Sequence, residues 1–316
     1  MKKSGFTATL LVLSYLPLQS FAETSWVDNS YANVRSTLHS WSNSIDSWFG
    51  TPDPDKPASA SLRIMLDNEW NHYDGYSIKP RIRGKIKLPT LKQHLNLVFG
   101  DEDLDNQSRD KNQLHRNYKT PLSEDKKYDS KQSRNDNASL ALRWSNQTKE
   151  FGVETDLDLG IRSGADLFVR AKIAKDWKHT DIFSTRLEQI YRYGINSKHY
   201  LRTNLENKFW ETKQLFINNH TYLEYQHDLD ETLFWGNSLY RQHDFAGHKR
   251  LNYGVLAGGE IKHKKADLDV YGPFINWRQP IWKEWLFIQP ELHFYNSKKD
   301  DRSHHLGAFF RVEAIF

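Results

Sequence analysis

The last twelve residues of the chain alternate between apolar and mixed side chains. Leu306 and Phe316 belong to an apolar series that takes every second position, and the positions between them carry the charges of Arg311 and Glu313. A period of two is typical of a strand whose two faces meet different environments. The pattern therefore predicts a strand over residues 305–316.

The same alternation recurs along the chain after residue 57. About fourteen segments of roughly ten residues, separated by turn residues, form the pattern expected of a transmembrane β-barrel. An even strand number returns both ends to one side of the membrane, so twelve strands remain possible if two weak segments merge. The sequence thus predicts an all-β fold, an antiparallel transmembrane β-barrel of about 12–14 strands over residues 58–316. The segments lie near 62–66, 81–88, 95–99, 138–144, 151–162, 167–173, 182–195, 199–209, 214–227, 231–242, 249–263, 266–275, 282–296 and 305–316.

A different period appears before the barrel. Apolar positions in residues 26–49 step by four and three residues, which predicts an amphipathic helix with one narrow apolar seam. Gly50 and the prolines after it end the helix, and Thr51–Pro57 is predicted to be a stiff linker. Residues 23–57 would then be a periplasmic segment. The seam comprises Val27, Tyr31, Val34, Leu38, Trp41, Ile45 and Trp48.

Three interpretations of this helix remain open. Its seam could pack against its own barrel or lie in the membrane surface. It could also serve as a handle for a periplasmic partner protein, or associate with a second copy as a coiled coil.

The first 22 residues have the features of a cleaved signal peptide. Lys2 and Lys3 form a basic start, Phe6 to Leu18 an apolar middle, and the segment ends at Ala22 in a small-x-small cleavage site. The apolar run is too short for a transmembrane helix. We therefore expect export and a mature chain that begins at Glu23.

The overall composition excludes two classes of protein. The mean hydropathy of −0.78 is too low for a bundle of membrane helices. The 44 basic and 40 acidic residues nearly balance, so we expect no nucleic-acid partner. The polar stretch 101–135 is predicted to be a long mobile loop on the outer side, where such barrels carry their long loops.

Two C-terminal segments resemble known proteins. The ending resembles the last strand of Gram-negative outer-membrane β-barrels, which commonly finish on Phe and whose final strand is read by the barrel assembly machinery. Trp285–Leu292 resembles a segment of uncharacterised proteobacterial outer-membrane barrels, which have no activity to transfer. The resemblance implies location in the cell outer membrane, contact with its lipid and with the assembly machinery, and an assembly signal at Phe310, Val312 and Phe316.

Two rows of charge are the candidate functional residues. Cations facing lipid cost roughly 2–4 kcal/mol each near the midplane, so a strand with four of them should turn them into the lumen. A basic lumen wall favours small anionic solutes. Alternatively, the two rows pair across a narrow lumen and fill it, which would make the barrel structural. The basic row is Arg81, Arg83, Lys85 and Lys87, and the acidic row is Glu154, Asp156 and Asp158.

No catalytic motif is evident. The histidines are scattered, and none lies in a segment that resembles the motifs of outer-membrane lipases, proteases or lipid A-modifying enzymes. The dipeptide His304-His305 is weak evidence for a metal site. We therefore expect no enzyme, no metal and no cofactor. The sequence therefore predicts a channel or a structural barrel. The first alternative is a protein that docks a periplasmic partner through helix 26–49, and a lipid-modifying enzyme is less favoured.

Overall fold

The structure is a computed structural model that describes residues 26–51, 55, 57–72, 75–90, 95–101, 130–148, 152–227, 232–298 and 301–316. The predicted signal peptide lies outside the described residues. So do parts of the predicted linker and most of the predicted loop 101–135.

Fourteen antiparallel strands close into one barrel. Each strand pairs with the next along the chain, and the last strand pairs with the first, with Arg63 opposite Ile315 and Trp70 opposite Ala308. This confirms the predicted fold class and puts the strand count at the upper end of the predicted range. The strands are β1 (Ser59–Asn71), β2 (Gly75–Lys87), β3 (Leu95–Gly100), β4 (Ser139–Thr148), β5 (Val153–Arg162), β6 (Asp166–Lys178), β7 (Phe183–Gly194), β8 (Lys198–Thr212), β9 (Leu215–Gln226), β10 (Thr232–Phe245), β11 (Lys249–Lys262, with a two-residue partner at Lys265–Ala266), β12 (Val270–Trp282), β13 (Leu286–Ser297) and β14 (His304–Ile315).

The outer face of the barrel is apolar and the inner face is polar. On β6, Leu167, Val169 and Ile173 are exposed, whereas Phe168 and Arg170 between them are buried. Slipping a strand by one residue would exchange the two faces, so the alternation also fixes the register of pairing. Because lipid offers no partner for backbone N–H and C=O groups, an apolar exterior and a closed ladder occur together.

The interior contains apolar clusters among its polar side chains. Val98, Ala141 and Phe168 form one on the β3, β4 and β6 side. The other spans β10 to β13 and comprises Tyr240, Leu256, Val270, Phe274 and Tyr295.

The predicted helix is present as α1 (Trp26–Ser47). Asp28 accepts a hydrogen bond from the indole of Trp282 at 3.1 Å and pairs with Lys283 at 2.8 Å. Near the other end, Asp46 accepts bonds from the backbone N–H and hydroxyl of Thr90. The helix therefore lies along the rim where β1 begins and the chain ends. None of the described helices is long and apolar enough to cross a membrane.

A second helix, α2 (Ser130–Asn137), overlaps the end of the stretch 101–135 that we predicted to be loop. It contacts β2. The first half of this strand, residues 75–82, extends beyond the end of the six-residue β3 and has no partner strand on that side among the described residues. Asn137 accepts a hydrogen bond from the backbone N–H of Ile82 at 2.7 Å and donates one to the carbonyl of Pro80 at 2.9 Å. The segment has no apolar stripe, so the sequence did not predict this helix. Its contact with β2 depends on the tertiary structure.

Candidate functional site

The basic row lies on the inner face of β2, at alternate positions. Arg81 and Arg83 are 0% and 7% exposed, Lys85 is half-buried, and Lys87 is exposed near the end of the strand. The four side chains therefore share one face, and their exposure increases from Arg81 in the barrel wall to Lys87 at the rim.

Arg81 belongs to a buried network of two cations and two carboxylates. Its guanidinium bonds to Asp101, which follows β3, and lies 3.6 Å from Asp67 on β1. Asp67 in turn receives two hydrogen bonds from Arg311 on β14, at 2.6 and 2.8 Å. Charge-assisted bonds of this kind are what buried ions require. The positive charge predicted to attract solute anions at Arg81 is thus compensated within the protein.

The acidic row is compensated in the same way by cations of other strands. Arg143 on β4 donates two hydrogen bonds of 2.7 Å to Asp158, and Arg170 on β6 donates a third at 2.9 Å. Asp158 is 3% exposed, so this cluster is also sealed from water.

The other two acidic side chains have separate partners. Lys172 on β6 pairs with Asp156 at 2.8 Å, and Arg186 on β7 pairs with Glu154 at 2.7 Å. Arg186 also contacts Asp176. Within the described part of the chain, the ion pairs of Arg81 and of the acidic row join neighbouring or next-neighbouring strands.

The ion pairs of Arg81 and of the acidic row therefore do not join the two predicted rows to each other. Side chains directly opposite on adjacent strands are about 5 Å apart, well within reach of an ion pair. The charges consequently run around the wall.

Further ion pairs extend the network beyond the predicted rows. Arg202 pairs with Glu224 and lies 4.1 Å from the ring centre of Tyr222. Arg63 and Arg278 both pair with Glu313, the latter at 2.7 Å. The alternation of β1, β8 and β12 predicts that these three arginines face inward, whereas their partners depend on the register between strands.

Charged groups in the connections at the rim away from α1 also form ion pairs. Asp267, in the β11–β12 connection, accepts a hydrogen bond from Lys298 at 3.0 Å. That bond and the charge of Lys298 hold the pKa of Asp267 below its ordinary value, with Lys262 and Arg302 adding to the effect.

The predicted histidine pair lies on β14. The ring of His305 stacks on His72 with centroids 3.9 Å apart, and His304 stacks on Phe294. No group of three or more His, Cys, Asp or Glu residues is placed to hold a metal ion among the described residues.

At the opposite rim, α1 and the strand ends form a cleft of 1110 Å³. Tyr31 stacks on Trp285 and on Phe316, with ring centroids 4.7 and 5.3 Å apart. Arg35 and His39 line the same cleft. Phe316 of the predicted assembly signal therefore contacts α1, whereas Phe310 lies exposed on the outer face.

The face of α1 that contacts the barrel differs from the predicted seam. Leu38 is buried and Tyr31 is covered by ring stacking, but Trp41 and Trp48 are 60% and 77% exposed. Ser42 and Asp46 are fully buried in their place. The two aspartate anchors, Asp28 and Asp46, rotate the helix so that much of its apolar stripe lies beside the contact. Val27, Val34 and Ile45 of the seam are half-buried.

The chain matches no protein-family model and no curated protein sequence. Its fold is similar to that of OprB from Pseudomonas putida, which is 11% identical over 92% of this chain and 98% of that one, with a TM-score of 0.48. OmpT of Vibrio cholerae is 6% identical over 82% and 97%, with a TM-score of 0.47. A mutant porin of Rh. blastica is 13% identical over 82% and 100%, with a TM-score of 0.43. At these identities the likeness concerns the fold alone.

Proposed function

We propose that this protein is an outer-membrane β-barrel that conducts small solutes through its lumen. The observation that carries the proposal is the closed barrel of fourteen strands with an ionisable inner wall. Eight-stranded barrels are filled by their own side chains, whereas barrels of 16–18 strands enclose an aqueous channel, so fourteen strands lie nearer the second class.

The channel is proposed to have a weak preference for anionic solutes. Asp101 and Asp67 compensate Arg81, which removes much of the field that four cations would otherwise create. Lys85 and Lys87 lie closer to the rim and are more accessible than the arginines. These two lysines are the cations of the row that a solute anion in the lumen reaches most easily.

Conductance of the purified full chain in a planar bilayer tests the proposal. We expect single-channel events. When Lys85 and Lys87 are both changed to Gln, the reversal potential in a salt gradient should shift in the direction of greater cation selectivity. The matched control is Glu154→Gln with Asp156→Asn, which should move it in the opposite direction. If the folded protein gives no conductance at all, the channel is excluded and a structural barrel remains.

A second proposed role concerns the exposed flank of α1, defined by Trp26, Trp41 and Trp48. We propose that this flank lies in the membrane surface. Trp favours the boundary between lipid and water, and the helix is already fixed at the rim of the apolar barrel. A periplasmic partner protein is the competing occupant.

The absence of cysteine from the chain allows a direct test. A spin label at Trp41→Cys should show the oxygen accessibility of a membrane-embedded site in vesicles. A label at Asn43→Cys, also exposed on α1, should show that of water. Equal, water-like values at both positions, together with a co-purifying protein that is lost on deleting residues 26–49, would favour the partner instead.

A further inference from the structure

A group of polar side chains lies within the apolar outer face of β7–β10. Three pairs sit directly opposite each other on adjacent strands. The pairs, called the polar patch below, are Gln189 with Thr203, Asn207 with Asn219, and Thr221 with Asn237.

Exposed apolar residues enclose the patch along the strands. Leu187 and Tyr191 flank Gln189 on β7, and Leu205 lies between the two patch residues of β8. On β9, Ile217 and Leu223 border the patch at either end. The centre of the patch is therefore at mid-height in the membrane-facing belt, and Asn207 is connected towards a rim through Thr185, which bonds to His179 in the β6–β7 turn.

Other parts of the outer face differ at this height. Leu157 and Leu159 on β5 and Val169 on β6 are exposed and apolar. On β1, Ile64 and Leu66 are likewise exposed. The contrast makes β7–β10 a distinct side of the barrel.

The polar patch is partly satisfied by its own hydrogen bonds. Thr203 donates to Gln189 at 2.7 Å, and Asn237 donates to Thr221 at 2.7 Å. Asn219 also donates to Asn237, at 3.2 Å. Outside the patch, Gln189 donates to the carbonyl of Arg202 at 3.1 Å, and Asn207 accepts from Thr185 at 2.9 Å. A primary amide carries two N–H donors and a carbonyl with two lone pairs, so these bonds use only part of its capacity. Hydrocarbon offers nothing for the rest.

We propose that the polar patch is the surface at which a second copy of this chain binds within the membrane. Only a membrane-embedded protein reaches this height. Amides both donate and accept, so the patch is complementary to itself about a two-fold axis. Polar side chains commonly join membrane segments in this way, and the flanking leucines supply apolar contact. The inference rests on the proposed membrane location but not on conduction.

Crosslinking of single-cysteine variants tests this surface, since the chain itself has no cysteine. Leu205→Cys lies within the patch, and Leu66→Cys is the matched control, because the two leucines are 37% and 41% exposed. Heat-modifiable migration on a gel first shows that each variant has folded into the membrane. Each variant is then treated in native membranes with a flexible bismaleimide. A covalent dimer from Leu205→Cys alone supports the proposal. Equal crosslinking of both variants, or of neither, overturns it.

A second variant removes the three asparagine amides of the patch without adding a reactive group. Asn207→Leu, Asn219→Leu and Asn237→Leu together should convert the folded dimer to a folded monomer, measured by sedimentation in mild detergent. A wild-type protein that is already monomeric there, or a triple variant that stays dimeric, contradicts the proposal. Single-channel conductance of the triple variant reports separately on the proposed function. A dimer without conductance would reject the channel and leave this surface supported.

Discussion

At the scale of single residues, the lumen wall is held by carboxylates shared between cations. Asp67 bonds to Arg311 and faces Arg81, and all three side chains are at most 7% exposed. Removing one member of a buried group of ions leaves the others uncompensated, which costs more than the group contributes in total. The stability of this part of the wall should therefore depend strongly on a single carboxylate.

Asp67→Asn is expected to lower the free energy of unfolding by about 3–5 kcal/mol, because Arg311 and Arg81 lose a shared negative charge in a buried site. The measurement is reversible denaturant unfolding of the barrel in lipid or detergent. Asp181→Asn is the control, since Asp181 pairs with Lys178 at an exposed connection, and should leave the unfolding midpoint unchanged. Equal effects of the two variants would contradict the role given to Asp67.

The contact between Asp267 and Lys298 predicts a pH effect in the outer connections. The pKa of Asp267 is lowered in the folded protein, so its contribution to stability is present above the unfolded pKa and is lost as pH falls through the folded value. Lys298→Gln should return the pKa of Asp267 towards the ordinary value. Titration of the carboxylate carbon by NMR measures this, and an unchanged pKa would reject the cause.

At the scale of elements, the difference in length between β2 and β3 explains α2. The outer half of β2 extends past its partner, and an unpaired strand edge leaves backbone groups without hydrogen bonds. Asn137 supplies both a donor and an acceptor to this edge. A single amide side chain thus replaces part of a missing strand.

Asn137→Ala should increase the hydrogen-exchange rate of the Ile82 amide, because the bond that protects it is lost. The two lost bonds correspond to a local cost of about 1–3 kcal/mol. Asn135→Ala is the control: Asn135 bonds to Ser163 and not to β2, so exchange at Ile82 should be unchanged. Equal exchange at Ile82 in the Asn137 variant and the unaltered protein would show that something else protects this edge.

At the scale of the whole molecule, the seam that closes the barrel contains no residue of α1. The ladder between β1 and β14 runs from Arg63 to Trp70 on one side and from Ile315 to Ala308 on the other, and the ion pairs Asp67–Arg311 and Arg63–Glu313 also join these two strands. The helix is fixed to strand ends and turns through Asp28, Asp46 and Tyr31. The helix is thus an attachment to the rim.

Deletion of residues 26–49 should therefore leave a folded barrel with heat-modifiable migration and an unchanged strand signal by circular dichroism. Its membrane-surface contact should be lost, because Trp41 and Trp48 are removed. Failure of the shortened chain to fold, while Trp41→Ser folds normally, would show that α1 takes part in closure.

The fold, the two faces of most strands and the residues that form α1 can all be predicted from the sequence, because alternation with a period of two or of about 3.6 is a local property that short stretches carry. The sequence also placed Arg81 and Asp158 on polar faces. Their partners, Asp67 and Arg143, could not be predicted in this way, since the register between strands sets which side chains are neighbours. The rotation of α1 and the helix at Ser130–Asn137 depended in the same way on anchors distant in the chain, namely Thr90, Trp282 and the edge of β2.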